Sequence, residues 1–155
     1  MNEAGLQMIR KIREAEAAAQ EGVQKDPWRL RFHLMPPAGW LNDPNGLCQM
    51  NGVYHVFFQY SPFDPCGGEK FWGHYTSRNL TDWEYAGVPL APDEQFDRSG
   101  VYSGSCLIKD GIMYLFYTCL LYTSLTICQK RGSSKKVRNH FSPTHGLPRM
   151  PFPGE

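Results

Sequence analysis

An all-β domain behind one N-terminal α-helix is the fold class this chain predicts, on three observations. After Pro27, short runs rich in Val, Tyr, Phe and Trp alternate with Gly, Pro, Asn and Asp, the composition of strands separated by turns. Two of these runs fold back at Asn51-Gly52 and Asp110-Gly111, dipeptides that tolerate the positive φ of a type I′ hairpin turn. The two hairpins also match each other at an offset of 59 residues, Val53 with Ile112, Val56 with Leu115, Phe57 with Phe116 and Phe58 with Tyr117. A period of that size fits a β-propeller blade, whose four-stranded sheet must stack on neighbours to bury both faces. On pattern alone a β-sandwich stays open.

Element by element, Glu3 to about Gln20 is rich in Ala, Glu, Lys and Arg, with Leu6, Ile9, Ile12 and Arg13 at helical spacing and Asn2 in the capping position. The narrow apolar stripe predicts a surface helix that ends near Gly22 and before Pro27. Residues 1–26 form this helix and its linker. The first hairpin follows in "LCQMNGVYHVFFQY", then "WGHYTSRNLTDWEY" predicts a strand from Trp72 to Ser77, a turn and a strand starting at Trp83. The second hairpin is "CLIKDGIMYLFYT". From residue 119 the pattern breaks. The 119–155 segment holds four of the twelve prolines, a basic cluster from Lys130 to Arg138 and one acid, Glu155. It is expected to be a disordered tail or sequence from a shifted reading frame.

Composition narrows the function classes. The net charge is +1, but residues 1–119 carry ten Lys and Arg against fourteen Asp and Glu. That mildly acidic body has no phosphate-tracking surface, so no nucleic-acid partner is expected. No apolar run approaches a membrane span or a signal peptide, which makes a cytoplasmic location the default and a membrane partner unexpected. Five cysteines without a CxxC pair fit reduced thiols, with Cys48 and Cys106 as small core residues. His33, His55 and His74 match no standard zinc spacing, so neither a metal nor another cofactor is expected.

The chemistry concentrates around "AGWLNDPNG", residues 38–46. Pro44 biases Asp43 toward extended backbone, and Asn45-Gly46 then turns the chain into the first hairpin. Asn42 can hydrogen-bond a hydroxyl, and Trp40 offers a flat apolar face for a sugar ring. Gln59 ends an apolar strand, where its amide must be exposed or have a specific partner. Trp72 and His74 follow a Gly-rich loop, and "GVYSGS" brings Tyr102 and Ser103 to the start of the second hairpin. Acids, amides, hydroxyls and aromatics in one place suit a carbohydrate, whose hydroxyls need polar partners and whose CH faces need aromatic surface.

Four stretches, "HLMPPAGWLNDPNG", "FFQYSPFD", "WGHYTSRNLTDWE" and "GVYSGS", resemble in order and spacing the motifs of glycoside hydrolase family 32, the invertases, sucrose-6-phosphate hydrolases and fructanases. The resemblance runs from about Arg31 to Thr118. It implies a five-bladed β-propeller followed by a β-sandwich, of which residues 27–118 would supply about the first two blades. It further implies that Asp43 is the nucleophile of a retaining β-fructofuranosidase acting on a small sugar such as sucrose, sucrose 6-phosphate or a short fructan. Leu41, Asn42, Asp43, Pro44, Gln59, Trp72, Tyr102 and Ser103 match the fructosyl-binding positions. A retaining mechanism needs a second carboxyl group about 5 to 5.5 Å away as acid/base.

The chain departs from the family in one respect. The Arg-Asp-Pro and Glu-Cys motifs that carry the transition-state stabiliser and the acid/base are absent. Asp26-Pro27 lacks Arg and precedes the nucleophile, and Asp64-Pro65 belongs to the loop after Gln59. A fragment inactive by itself is therefore expected. The rival expectations are a noncatalytic fructoside-binding fragment and an interaction module that uses its basic tail. Oligomeric state is not legible.

Overall fold

The computed structural model describes residues 1–121 and 124–131. Helix α1 (Glu3–Lys25) precedes β1 (Trp40–Met50), β2 (Val53–Ser61), β3 (Phe71–Ser77), β4 (Trp83–Leu90), β5 (Tyr102–Lys109), β6 (Ile112–Leu121) and β7 (Ser124–Arg131). The strands form two open antiparallel sheets, ordered β1-β2-β3-β4 and β5-β6-β7. The two hairpin turns are where the sequence puts them. Asn51 and Gly52 have φ of 52° and 74°, and Asp110 and Gly111 have 52° and 69°.

Asn2 caps α1 through its side chain, which accepts from the Gly5 N–H at 3.1 Å. The helix runs past Gly22 and stops only at Asp26, which turns extended (φ −68°, ψ 116°) ahead of Pro27. Gly22 faces open space, where a helical glycine costs about 1 kcal/mol without ending the helix, whereas a following proline excludes helical geometry. Its buried side is also shifted from the expected stripe. Ile12 is buried with Met8 and Ile9 beside it, while Leu6 is exposed.

Alternation along the strands makes two cores. Phe57, Trp72, Leu90, Val101, Met113, Leu115, Tyr117 and Cys119 pack between the sheets. Phe58, Tyr60, Phe71, Tyr75 and Ala91 pack on the other face of the first sheet, under Ile12 of α1. Gly73 is part of this second core: a Cβ there would fall 2.1 Å from the Phe58 ring, which lies across it from the opposing strand. The second sheet continues across the compositional change at residue 119, since β6 reaches Leu121 and pairs with β7. The rest of the tail, from 132 onward, lies outside the described residues. Among the described residues, no helix is long and apolar enough to cross a membrane.

The cysteine expectation needs one correction. Cys48, Cys66 and Cys106 are free, but Cys119 is disulfide-bonded. Which thiols come within bonding distance is set by the fold, and linear spacing does not reveal it. Cys48 and Cys106 lie against the inter-sheet core and hydrogen-bond each other. Burial raises both thiols, and that of Cys106, also beside Cys48, is pushed up to about 12.

Candidate active site

The start of β1, the end of β2 and the start of β3 lie at one end of the first sheet, because the sheet is an antiparallel meander. Leu41 pairs with Tyr60 and Pro44 with Phe58, so Asn42 and Asp43 together face the single residue Gln59. This two-against-one bulge interrupts the ladder and re-aims side chains, as bulges beside active sites do. Pro44 fits there because it has no N–H to leave unpaired. A second irregularity follows at Gly46, in the left-handed region at φ 57°. A Cβ at Gly46 would approach the Phe57 ring to 2.9 Å and the Trp72 ring to 3.1 Å.

Asp43 is half-buried and Asn42 exposed. Among the described residues, no group donates a hydrogen bond to the Asp43 carboxylate. Its backbone carbonyl accepts from Asn45 Nδ2 at 3.5 Å. Asn45 is buried, and its Oδ1 has no partner among the described residues. Sequence reasoning took Asn45 for a turn former only.

The start of β5 is carried to the same end by contacts from the first sheet. Gln59 Nε2 donates to the Val101 carbonyl at 3.0 Å, Trp72 Nε1 donates to the Tyr102 carbonyl at 3.0 Å, and Val101 N–H donates to the Lys70 carbonyl at 3.0 Å. Val101, directly before β5, and Tyr102, its first residue, are thereby held by β2, β3 and the loop between them. Directly beyond this clamp, Tyr102 pairs with Thr118 and Gly104 with Tyr117, which leaves Ser103 as an inserted residue. Ser103 thus stands on a bulge of its own, as Asn42 and Asp43 do.

All eight candidate residues converge on this end, but they occupy two layers. Leu41, Asp43, Tyr102 and Ser103 are half-buried, and Asn42 and Pro44 are exposed. Gln59 and Trp72 are 3% and 0% exposed, and their polar atoms are engaged with β5, so they form the wall behind the others. Tyr102 turns its hydroxyl to the Ser99 carbonyl at 3.2 Å. The Trp40 ring, expected to offer a face to a sugar, has the Lys70 ammonium 4.1 Å from its centroid. Nothing in the sequence pattern singled out Lys70. Its only signal is a cation placed directly before the apolar strand "FWGHY".

His74, once grouped with Trp72, faces inward. Its Nε2 lies 3.0 Å from His55 Nδ1, and its ring stacks on Phe57 with centroids 4.2 Å apart. Burial, with the nearby His55, pushes His74 down to about 4 and burial lowers His55 too, so both are neutral at pH 7. Among the described residues no cluster of three or more His, Cys, Asp or Glu could hold a metal. A cleft of about 690 Å³ between the 29–35 segment and the β3–β4 turn is lined by none of the eight candidates.

With this geometry in place, the comparison with known proteins is decisive at the family level. The family model "Glycosyl hydrolases family 32 N-terminal domain" matches residues 33–147. The chain belongs to this family. It is 49% identical over 112 residues to a sucrose-6-phosphate hydrolase from Bacillus subtilis, covering 68% of this chain and 23% of that protein. Its fold matches the structure of a sucrose-6-phosphate hydrolase from Lactobacillus gasseri with a TM-score of 0.67 and 35% identity, over 76% of this chain and 24% of the other. It also matches a mutant β-fructofuranosidase from Bombyx mori in complex with sucrose, with a TM-score of 0.70 and 30% identity, over 84% of this chain and 27% of the other. This family 32 chain therefore spans about a quarter of the length of the relatives it matches.

Proposed function

We propose that this chain is the nucleophile-bearing part of a retaining β-fructofuranosidase that cleaves sucrose or sucrose 6-phosphate. Its two sheets would be the first two blades of a five-bladed propeller. The observation that carries the reading is the Asn42-Asp43 bulge opposite Gln59, which together with Trp72 holds Val101 and Tyr102, the residues that lead into Ser103. A short carboxylate at the end of the first sheet from which Gln59 and Trp72 reach Val101 and Tyr102 supports this reading.

In this reading Asp43 attacks the anomeric carbon of the fructosyl unit, with Leu41, Asn42, Pro44, Tyr102 and Ser103 around it. Gln59 and Trp72 support the subsite from behind. A covalent fructosyl-enzyme forms as the leaving alcohol takes a proton, and water then releases fructose with retention. The acid/base and the transition-state stabiliser belong to sequence beyond these two sheets. The chain by itself then binds a fructoside with little or no turnover.

The test pairs two preparations. Purified chain incubated with sucrose is expected to release no glucose above background. The complete enzyme that contains it is expected to hydrolyse sucrose, with kcat lowered by about 10³-fold or more in Asp43→Asn. Turnover by the isolated chain would refute its inactivity, and an active Asp43→Asn enzyme would refute the nucleophile.

A further inference from the structure

Cys48 and Cys106 stand on the two strands that carry the halves of the candidate site. Cys48 follows Asp43 by five residues on β1, and Cys106 follows Ser103 by three on β5. Strand register fixes where both point. Cys48 lies opposite His55, whose ring stacks on Phe57, and Cys106 lies opposite Leu115; Phe57 and Leu115 belong to the core between the sheets. Opposed residues of an antiparallel pair share one face of the sheet, so the two cysteines approach that core from opposite sides. There they hydrogen-bond each other, and both thiols are free. Neither is sealed off, since both are only half-buried.

Two thiols in hydrogen-bonding contact need only a small side-chain rotation to reach the about 2 Å length of an S–S bond. We propose that Cys48 and Cys106 are an oxidisable pair, which a low-molecular-weight disulfide converts into a covalent bond between the two sheets. The Cys48 thiolate attacks one sulfur of the reagent, a mixed disulfide forms and a first thiolate leaves. Cys106 then gives its proton to solvent, attacks Cys48 Sγ and expels the second thiolate. Two protein thiols are oxidised to one disulfide, and the reagent is reduced to two thiols. Cys48 takes the first step because Cys106 donates the hydrogen bond, which holds the proton on Cys106 and favours the thiolate of Cys48. The bond ties the strand of Asp43 to the strand of Ser103. It also closes residues 48–106 into a loop, which removes chain entropy from the unfolded state.

The test uses the full chain carrying Cys66→Ser, which removes the exposed free thiol of the β2–β3 loop. It is incubated with glutathione disulfide and followed by intact mass and by an unreduced peptide map. The expected product has lost two hydrogen atoms and holds the peptides of Cys48 and Cys106 cross-linked. It forms faster as the pH is raised from about 7 to about 9, because the thiolate is the attacking species. Its urea midpoint should lie above that of the untreated chain, whereas Cys48→Ala in the same background, treated alike, keeps the Cys119 bond and shows no rise. Two unreacted thiols at the higher pH, a stable glutathione adduct on either sulfur without the cross-link, or a cross-link to Cys119 instead would each overturn the proposal. So would a midpoint that the cross-link leaves unchanged or lowers, since a bond that strains the fold is not one the contact is built for. Mass and map are read with both native cysteines in place, so they decide the matter even where Cys48→Ala does not fold.

Discussion

At the scale of single residues, the candidate site is set by positions whose neighbours leave no room to move. A Cβ on Gly104 would lie 1.9 Å from the Phe116 carbonyl oxygen, which is backbone and part of the β5–β6 ladder. Gly104→Ala is expected to destabilise the chain by about 2 kcal/mol or more, against about 1 kcal/mol for Gly111→Ala, where only the positive φ is at stake. Urea midpoints of the two variants check the order. Gln59→Leu would strip the Val101 carbonyl of its donor inside a buried contact, at a cost of about 1–3 kcal/mol. If Gln59 works through β5, fructoside affinity falls in Gln59→Leu while amide exchange near Val101 speeds up; unchanged exchange would count against the clamp. The "AGWLNDPNG" motif disclosed Asp43, but the role of Gln59 was not legible, because its partner lies 42 residues away.

At the scale of elements, one carboxylate of α1 ties the helix to two strands of the first sheet. Glu16 Oε1 accepts from Tyr60 Oη at 2.9 Å and from Tyr85 Oη at 2.7 Å. Burial first, then the nearby Glu16 charge, keeps both phenols protonated well above the usual range. Glu16→Ala removes the charged acceptor that two phenols share and is expected to cost about 1–3 kcal/mol, with exchange protection of α1 falling first. The Glu16→Gln chain should lose less. A second prediction concerns β2 and β3, joined by the His55–His74 contact. His74 titrates at about 4 when folded against its ordinary 6.5, so the unfolded chain binds more protons between these values. Stability is therefore full above about pH 6.5, declines as the pH falls toward 4 and stops declining from this source below it. The decline in denaturation midpoint should be smaller in His74→Phe. Helix start and hairpin turns could be read directly, since caps and type I′ turns are local. The helix end could not, because an exposed Gly22 is tolerated and Pro27 decides.

At the scale of the whole molecule, the two sheets share one core. Phe57 and Trp72 from the first sheet meet Leu115 and Tyr117 from the second, and Tyr117 donates to the buried Asp97 at 2.7 Å. Both sheets are expected to unfold together, and Leu115→Ala to lower the common midpoint by about 2–5 kcal/mol. Separate far-UV and near-UV transitions would contradict a shared core. The repeat seen in the hairpins is a repeat of faces, and the faces are covered differently: Phe58 lies under α1, whereas its counterpart Tyr117 lies under the first sheet. By itself, the order of residues determined what depends on near neighbours in the chain, namely the capped helix, the two hairpins and the turn-rich motif around Asp43. Only the tertiary structure decided which residues stand at the open end and which stand behind them. The bulges at Asn42-Asp43 and at Ser103 arise where strands pair, and the burial of Trp72 and the seat of Lys70 on Trp40 arise where sheets and loops dock on one another. That docking is a balance of contacts between residues far apart in sequence, and no local pattern records it.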